Sequence, residues 1–167
     1  KDHIHYLARL CEMELIDRER RMIERRIKAA KFPSTKSLDG FDFKIMPSLN
    51  KPLTMDLARC DYVDRRENII ALGPSGTGKT HIALGLGLAA CQRGLKVRFT
   101  TAAALVHELI EAQDERRLQR LQKQLTSQNL LIIDELGFVP LSKSGAELLF
   151  EVISQCYERG SIIITSN

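Results

Sequence analysis

Residues 73–80 constrain the fold of this chain most strongly, because they read Gly-Pro-Ser-Gly-Thr-Gly-Lys-Thr and match G-x-x-x-x-G-K-[ST] at every fixed position. In such a loop, glycines let successive backbone N–H groups turn inward toward an anion. Lys79 then brings an ammonium to the β- and γ-phosphates, and the Thr80 hydroxyl ligates Mg²⁺. The pattern predicts a nucleoside triphosphate site formed by Gly73, Pro74, Ser75, Gly76, Thr77, Gly78, Lys79, Thr80 and His81.

The segments on either side of the loop fit this prediction. Residues 68–72 form a short apolar run that is typical of a buried parallel strand. Residues 81–91 are apolar enough for a packed helix, which Gly94 closes. Strand, loop and helix therefore follow in the order that places a helix N-terminus, with its favourable dipole, at the phosphates. We expect the His81 side chain to pack in the first helical turn.

A second apolar run, residues 130–133, ends in two acids and indicates the kind of chemistry. Asp134 occupies the strand end from which an aspartate holds Mg²⁺ while the loop holds the phosphates. Glu135 is placed to orient and deprotonate an attacking water. Phosphoryl transfer to another substrate does not need this glutamate, so the pair favours a Mg²⁺-dependent ATPase, with Glu135 and Lys79 as catalytic residues.

A third buried strand is predicted at residues 161–165, followed by Ser166 and Asn167. In large ATPases with a glutamate after the aspartate, a polar residue at this strand end senses the γ-phosphate. Asn167 is the first candidate for this catalytic role and Thr165 the second. A Ser-Asn pair at a strand end also forms ordinary turns.

Composition agrees with an α/β protein, since the chain has 167 residues of which 44% are hydrophobic. It contains no run of 18 apolar residues and no leader with a cleavage site, so we expect a cytoplasmic protein that neither spans a membrane nor enters secretion. Four scattered cysteines without a C-x-x-C pair predict reduced thiols and no zinc site.

The net charge of +4 lies entirely in residues 1–36. Residues 1–31 are predicted to form a basic helical segment with apolar residues near helical spacing. Its cations recur every three or four residues and form a basic stripe, defined by Arg18, Arg21, Arg25 and Lys28. Such a stripe suits a DNA phosphate backbone, but a solvated helix face explains the pattern equally well.

A linker, residues 32–53, joins this segment to the predicted core at residues 54–167. Its prolines stop the helix and favour extended chain and turns. Phe41 and Phe43 are two residues apart and are expected on one face of the linker. They either close over the adenine or staple the linker to the core.

Two helical stretches, residues 102–112 and 114–125, are predicted after a strand at residues 96–100. The second has a narrow apolar stripe and a basic outer face. That face either meets DNA or a neighbouring subunit, or belongs to an ordinary surface helix. Its basic residues are Arg116, Arg117, Arg120 and Lys123.

The chain resembles the IstB-type helper ATPases of bacterial insertion sequences, relatives of the DnaC helicase loaders and DnaA initiators in the AAA+ class. The resemblance extends from the linker to the last strand and covers nearly the whole chain. The segments that carry it are residues 25–33, 37–43, 47–50, 73–81, 99–103, 132–138, 157–160 and 165–167. It implies a three-layer α/β P-loop fold with a parallel sheet of strand order 5-1-4-3-2.

The resemblance also implies partners. Proteins of this family bind ATP, assemble on double-stranded DNA as homo-oligomers, and recruit and stimulate the transposase encoded beside them. For the basic stripe it favours contact with DNA or another subunit, and for residues 116–123 it implies a helix along the nucleic-acid path. Two alternatives remain: a DnaC-like replicative helicase loader, and a DNA-binding scaffold that uses ATP as a structural ligand.

The family pattern continues beyond the Thr-Ser-Asn strand end with a further strand, an arginine offered to the neighbouring subunit, and a helical lid. This chain ends at Asn167, so those residues are not assigned in it. Without the further strand, the edge of the strand at residues 68–72 is expected to be exposed.

Overall fold

The computed structural model describes residues 2–167 and contains a four-stranded parallel sheet of order β1-β4-β3-β2. Its strands are β1 Ile69–Leu72, β2 Val97–Thr101, β3 Leu130–Leu136 and β4 Ser161–Ser166. Ile132 of β3 is paired with Phe99 of β2 on one side and with Ile163 of β4 on the other. The α/β fold with a parallel sheet is confirmed, and the strand order is the one that the resemblance implied for these strands.

Helices cover both faces of the sheet. The helices are α1 Asp2–Ala30, α2 Lys51–Leu57, α3 Asp61–Asp64, α4 Lys79–Gln92, α5 Ala102–Asp114, α6 Leu118–Thr126 and α7 Lys143–Cys156. On one face, α4 and the end of α1 pack against Ile132 and Ile163. On the other face, α5, α6 and α7 pack against Leu131 and Ile133. Neighbouring residues of β3 thus point into opposite cores, which explains why its apolar run is continuous.

β1 forms one of the two edges of the sheet, and β2 forms the other. In the part of the chain that the structure describes, β1 pairs with β4 alone. Ile70 and Leu72 remain 65% and 70% exposed. The exposed edge predicted for this strand is therefore present in the described residues.

One predicted helix begins later in the structure than the sequence pattern indicated. The helix expected over residues 114–125 was wrong at its start, because Arg116 adopts a left-handed backbone (φ 55°) and α6 begins only at Leu118. Arg116 and Arg117 therefore lie in the turn before α6. The short helices α2 and α3 are separate, since Cys60 between them is also left-handed (φ 65°).

Only the last third of α1 packs against the core. Residues 2–21 are all exposed, whereas Met22, Ile23, Arg26 and Ile27 are partly buried and Ala30 is fully buried. The apolar spacing of the segment correctly predicted a helix, but its residues before position 22 cover no core. None of the helices within residues 2–167 is both long enough and apolar enough to span a bilayer.

Candidate nucleotide site

The glycine-rich loop joins the carboxyl end of β1 to the first turn of α4. Gly73 donates its N–H to the carbonyl of Ser166 at 3.3 Å, which ties the loop to the end of the neighbouring strand. Gly78 is left-handed (φ 79°) and directly precedes Lys79, the first residue of α4. This conformation favours glycine, and it leaves the free N–H groups of the α4 N-terminus facing the loop.

A cavity of about 350 Å³ lies against this loop, and we call it the phosphate cavity. Its lining comprises Lys36, Ser75, Gly76, Thr77, Gly78, Lys79, Thr80, His81, Glu135, Phe138 and Thr165. The Lys79 ammonium donates to the carbonyls of Gly73 and Pro74 at 2.6 and 2.7 Å. The structure thus brings seven of the nine predicted loop residues, residues 75–81, to a single cavity with Glu135 and Thr165, whereas Gly73 and Pro74 do not line it.

Asp134 and Thr80 meet beside the phosphate cavity. The Thr80 hydroxyl is 3.0 Å from both carboxylate oxygens of Asp134, whose residue surface is only 3% exposed. A hydroxyl and a carboxylate oxygen are hard ligands of the kind that Mg²⁺ prefers, and Mg²⁺ commonly uses one or two protein oxygens together with substrate phosphates. The pair therefore fits a magnesium ion chemically.

Glu135 has a different environment from its neighbour. It is exposed, lines the phosphate cavity and has a left-handed backbone (φ 60°). Its N–H donates to the Thr165 hydroxyl at 2.9 Å, and the same hydroxyl donates to the Asp134 carboxylate. One buried side chain of β4 thus connects both acids of β3, at the point where the pairing between these strands is irregular.

The two sensor candidates lie in different places. Thr165 is 1% exposed and lines the phosphate cavity, whereas Asn167 is exposed and is not part of that lining. Ser166, between them, donates its hydroxyl to the carbonyl of Leu136 at 2.7 Å. The assignment of Asn167 to the γ-phosphate stays a prediction.

Two lining residues, Lys36 and Phe138, were missed by the sequence reasoning. Phe138 follows the two acids closely in sequence, so its position was a usable signal. Lys36 belongs to the linker, and its only signal was that it directly precedes the family-like segment at residues 37–43.

The linker aromatics lie beside the same loop. The Phe41 ring packs edge-on against His81, with centroids 5.2 Å apart, and against Phe43, with centroids 4.9 Å apart. Phe41 also lines a second cavity of about 280 Å³, which we call the adjoining cavity. It shares four lining residues with the phosphate cavity: Gly76, Thr77, Gly78 and His81. Phe41 therefore attaches the linker to the loop and lines a space next to it.

The predicted DNA-binding cations are exposed, but they differ in their partners. Arg18 and Arg21 both pair with the Glu14 carboxylate, at 2.8 and 3.2 Å, and the hydrogen bond from Arg18 lowers the pKa of Glu14. Within residues 2–167, neither Arg25 nor Lys28 has a carboxylate at ion-pair distance. All four border an open trough of about 850 Å³ along α1.

The second basic group does not form one helix face. Arg117 pairs with Glu111 and Glu115 in the turn before α6, beside Arg116. Arg120 and Lys123 are exposed on α6 itself. Only these two fit the outward helical face that was predicted.

The cysteines lie apart from the site and are all free thiols. Cys60, Cys91 and Cys156 are buried, and burial raises the pKa of each, to about 11 for Cys91. Cys11 is exposed on α1. The buried thiols therefore stay protonated at neutral pH.

Comparison with known proteins identifies the family. The model of the IstB-like ATP binding proteins matches residues 2–167. A Geobacillus stearothermophilus protein named as an ATP-binding protein of insertion sequence IS5376 is 41% identical over 162 residues, 97% of this chain and 64% of the relative. The corresponding protein of insertion sequence IS21 from Pseudomonas aeruginosa is 39% identical, over 100% of this chain and 64% of its own length. The chain thus spans a little under two thirds of these relatives.

Solved structures give the same fold. AMPPCP-bound DnaA from Aquifex aeolicus superposes with a TM-score of 0.70 at 21% identity, over 81% of this chain and 42% of that one. The DnaC helicase loader superposes with a TM-score of 0.62 at 22% identity, over 70% and 67%. The family match, the insertion-sequence relatives and the shared fold establish that the chain belongs to the IstB-like ATP-binding proteins and carries the AAA+ fold of DnaA and DnaC.

Proposed function

We propose that this protein is a Mg²⁺-dependent ATPase that assembles on double-stranded DNA as a homo-oligomer and recruits and stimulates a transposase encoded beside it. The relatives' names connect the family to insertion sequences and to ATP. For hydrolysis, the supporting observation is that two adjacent acids have opposite environments. Asp134 is buried on Thr80, whereas Glu135 is exposed at the phosphate cavity.

The proposed binding step uses the loop and α4. The backbone N–H groups of residues 75–80 and the α4 N-terminus surround the phosphates. The Lys79 ammonium leaves the carbonyls of Gly73 and Pro74 and donates to phosphate oxygens, which are stronger acceptors because they are charged. The adjoining cavity beside Phe41 accommodates the base.

Thr80 and Asp134 would hold Mg²⁺, which when bound neutralises developing charge on the phosphates. Glu135 then takes a proton from the attacking water, since its side chain is exposed and lines the cavity. Asn167 senses the γ-phosphate in this proposal. Thr165 holds both acids in place through its hydroxyl.

The proposed DNA contacts come from the exposed cations of α1 and of α6. We propose that the chain is divided into a basic segment (1–31), a linker (32–53) and an ATPase core (54–167). We place the protein in the bacterial cytoplasm, where duplex DNA and ATP are both present.

Replacing Glu135 with Gln tests this proposal. The amide fits the same space but takes no proton, so we expect ATP turnover to fall by about 100-fold or more while ATP binding is retained. ATP-dependent complexes with duplex DNA are expected to persist longer than those of the parent, as measured by dissociation after dilution.

Glu158→Gln is the matched control. Glu158 is exposed and has the same left-handed backbone (φ 60°), but it lies in the turn before β4, away from the cavity. Its variant is expected to hydrolyse ATP at the parental rate. Equal turnover in Glu135→Gln and Glu158→Gln would remove Glu135 from the role of base.

A further inference from the structure

The linker lies along α4 because this helix carries glycines where the linker approaches. An alanine Cβ at Gly85 would lie 2.7 Å from Leu38 Cδ2 and 3.2 Å from the Leu38 nitrogen. At Gly87 it would lie 2.7 Å from Ile132 Cδ1 of the sheet and 2.9 Å from the Phe32 ring of the linker. Glycine inside a helix is less favourable than alanine, so this close contact gives a physical reason for both glycines.

The contact continues to the loop and fixes the position of the linker there. His81 Nε2 is 3.0 Å from the backbone carbonyl of Ser37. A Cβ on Gly78 would lie 2.6 Å from Phe41 Cε2. Ser37 is therefore held beside the first turn of α4, and the next residue, Leu38, is buried against the same helix.

This position places Lys36 at the phosphate cavity. Lys36 shares the lining with Lys79 and Glu135, but it is not part of the adjoining cavity next to Phe41. Lys36 therefore borders the cavity that also contains Glu135, and it does not border the space proposed for the base.

The charged residues that line the phosphate cavity would not by themselves balance a bound triphosphate, so a second cation beside Lys79 would stabilise it. Lys79 is the only other lysine of its lining, and Glu135 contributes a negative charge to the same wall. Lys36 forms no ion pair with any acid within residues 2–167 and is exposed. A strongly negative triphosphate is therefore its complementary partner in this cavity.

We propose that Lys36 is a further phosphate-binding residue, which contacts the terminal phosphate and so helps to distinguish ATP from ADP. The assignment rests on the proposed nucleotide function of the same site. It differs from the role of Lys79, because Lys36 belongs to the linker and not to the glycine-rich loop. Nucleotide binding then also tightens the attachment of the linker to α4.

Direct binding of ATP and ADP to the Lys36→Gln variant, with Mg²⁺ present and at low salt, tests this assignment. Glutamine keeps the polarity and removes the charge. We expect ATP to bind roughly 5- to 10-fold more weakly and ADP to change by less than about twofold, so the preference for ATP falls. Lys36→Arg keeps the charge, and its affinities for ATP and ADP are expected to stay close to those of the parent protein.

Lys44→Gln is the matched control, since Lys44 is an exposed lysine of the same linker that lines neither cavity. It is expected to leave both affinities unchanged. Equal losses for ATP and ADP in Lys36→Gln would overturn the contact with the terminal phosphate. Parental ATP and ADP binding by Lys36→Gln would overturn the assignment alone, whereas a parent protein that binds no nucleotide would overturn the proposed function with it.

Discussion

The phosphate cavity and the projecting part of α1 (residues 2–21) differ in how their polar groups are held. Around the cavity, partners come from distant parts of the chain: Thr80 of α4 and Thr165 of β4 both bond to Asp134 of β3. On α1, the ion pairs join residues of the same helix, such as Arg18 with Glu14, and all of the side chains are exposed. The cavity is a preorganised site, whereas the helix surface depends on a partner for any fixed arrangement.

The same contrast holds for apolar residues. Around β3, Ile132 and Ile133 are fully buried, but Ile4 and Leu15 of α1 are 78% and 65% exposed. Burial of such side chains contributes about 1.5–3 kcal/mol each, and α1 gains none of this before residue 22 within the described chain. Substitutions at the cavity should therefore change ATP affinity and ATP turnover. Substitutions on α1 should change the salt dependence of DNA binding.

The largest effect is expected for Lys79→Ala. Loss of the ammonium removes charge-assisted hydrogen bonds to the phosphates, so ATP should bind roughly 100-fold more weakly. Lys143→Ala is a matched control, because Lys143 is also the first residue of its helix, α7, and lies outside the cavity. Titration calorimetry would compare the two, and near-parental ATP affinity in a folded Lys79→Ala protein would contradict the assigned role.

A smaller effect is expected for Thr165→Val, which keeps the shape of the side chain and removes its hydroxyl. Asp134 loses one hydrogen bond and the N–H of Glu135 loses its acceptor. Outer partners of a metal ligand typically contribute 10- to 100-fold, so we expect turnover to fall by about 30-fold with ATP affinity within about threefold.

Thr165→Ser separates this positioning role from packing. Serine retains the hydroxyl and loses only a methyl group, so its turnover should stay close to that of the parent. Steady-state kinetics over a range of Mg²⁺ concentrations would report both variants. If the Thr165→Val variant hydrolyses ATP as fast as the Thr165→Ser variant does, Thr165 does not position the two acids.

The layout of the candidate nucleotide site was predictable from sequence because its parts are short local patterns. The loop ending in Lys79 and Thr80 is continuous in the chain, and parallel strands bring the end of β3 to the same sheet edge. The hydroxyl of Thr165 was harder to place, since its contacts to both acids depend on the irregular register between β3 and β4. The position of Lys36 depends on the fit of the linker to α4, which no local pattern encodes.

The helices were also only partly predictable from the sequence pattern. Apolar spacing predicted α1 but could not tell that its first two thirds cover no core, because periodicity identifies a face and not what packs on it. The left-handed turn at Arg116 was missed for a related reason. Residues 114–117 are polar and carry no apolar periodicity, so the pattern could not locate the break between α5 and α6.

The smallest effect is expected for the exposed cations of α1, and Arg25 and Lys28 are the residues to change. They have no carboxylate partner among the described residues, whereas Arg18 and Arg21 share Glu14. Each phosphate contact contributes about −0.9 to the slope of log K against log salt, so Arg25→Gln with Lys28→Gln should reduce the slope by about 1.8. Between about 100 and 200 mM salt this corresponds to a difference of roughly threefold.

The control carries the same change of charge on the other basic surface, as Arg120→Gln with Lys123→Gln on α6. Glutamine has nearly the helix propensity of lysine and arginine, so both double variants should fold and bind ATP as the parent does. Duplex binding measured over a series of salt concentrations then compares them directly. A reduced slope only in the α1 variant assigns the DNA contact to α1. An unchanged slope there, with a reduced slope in the α6 variant, would make the trough along α1 a solvated surface and place the DNA on α6.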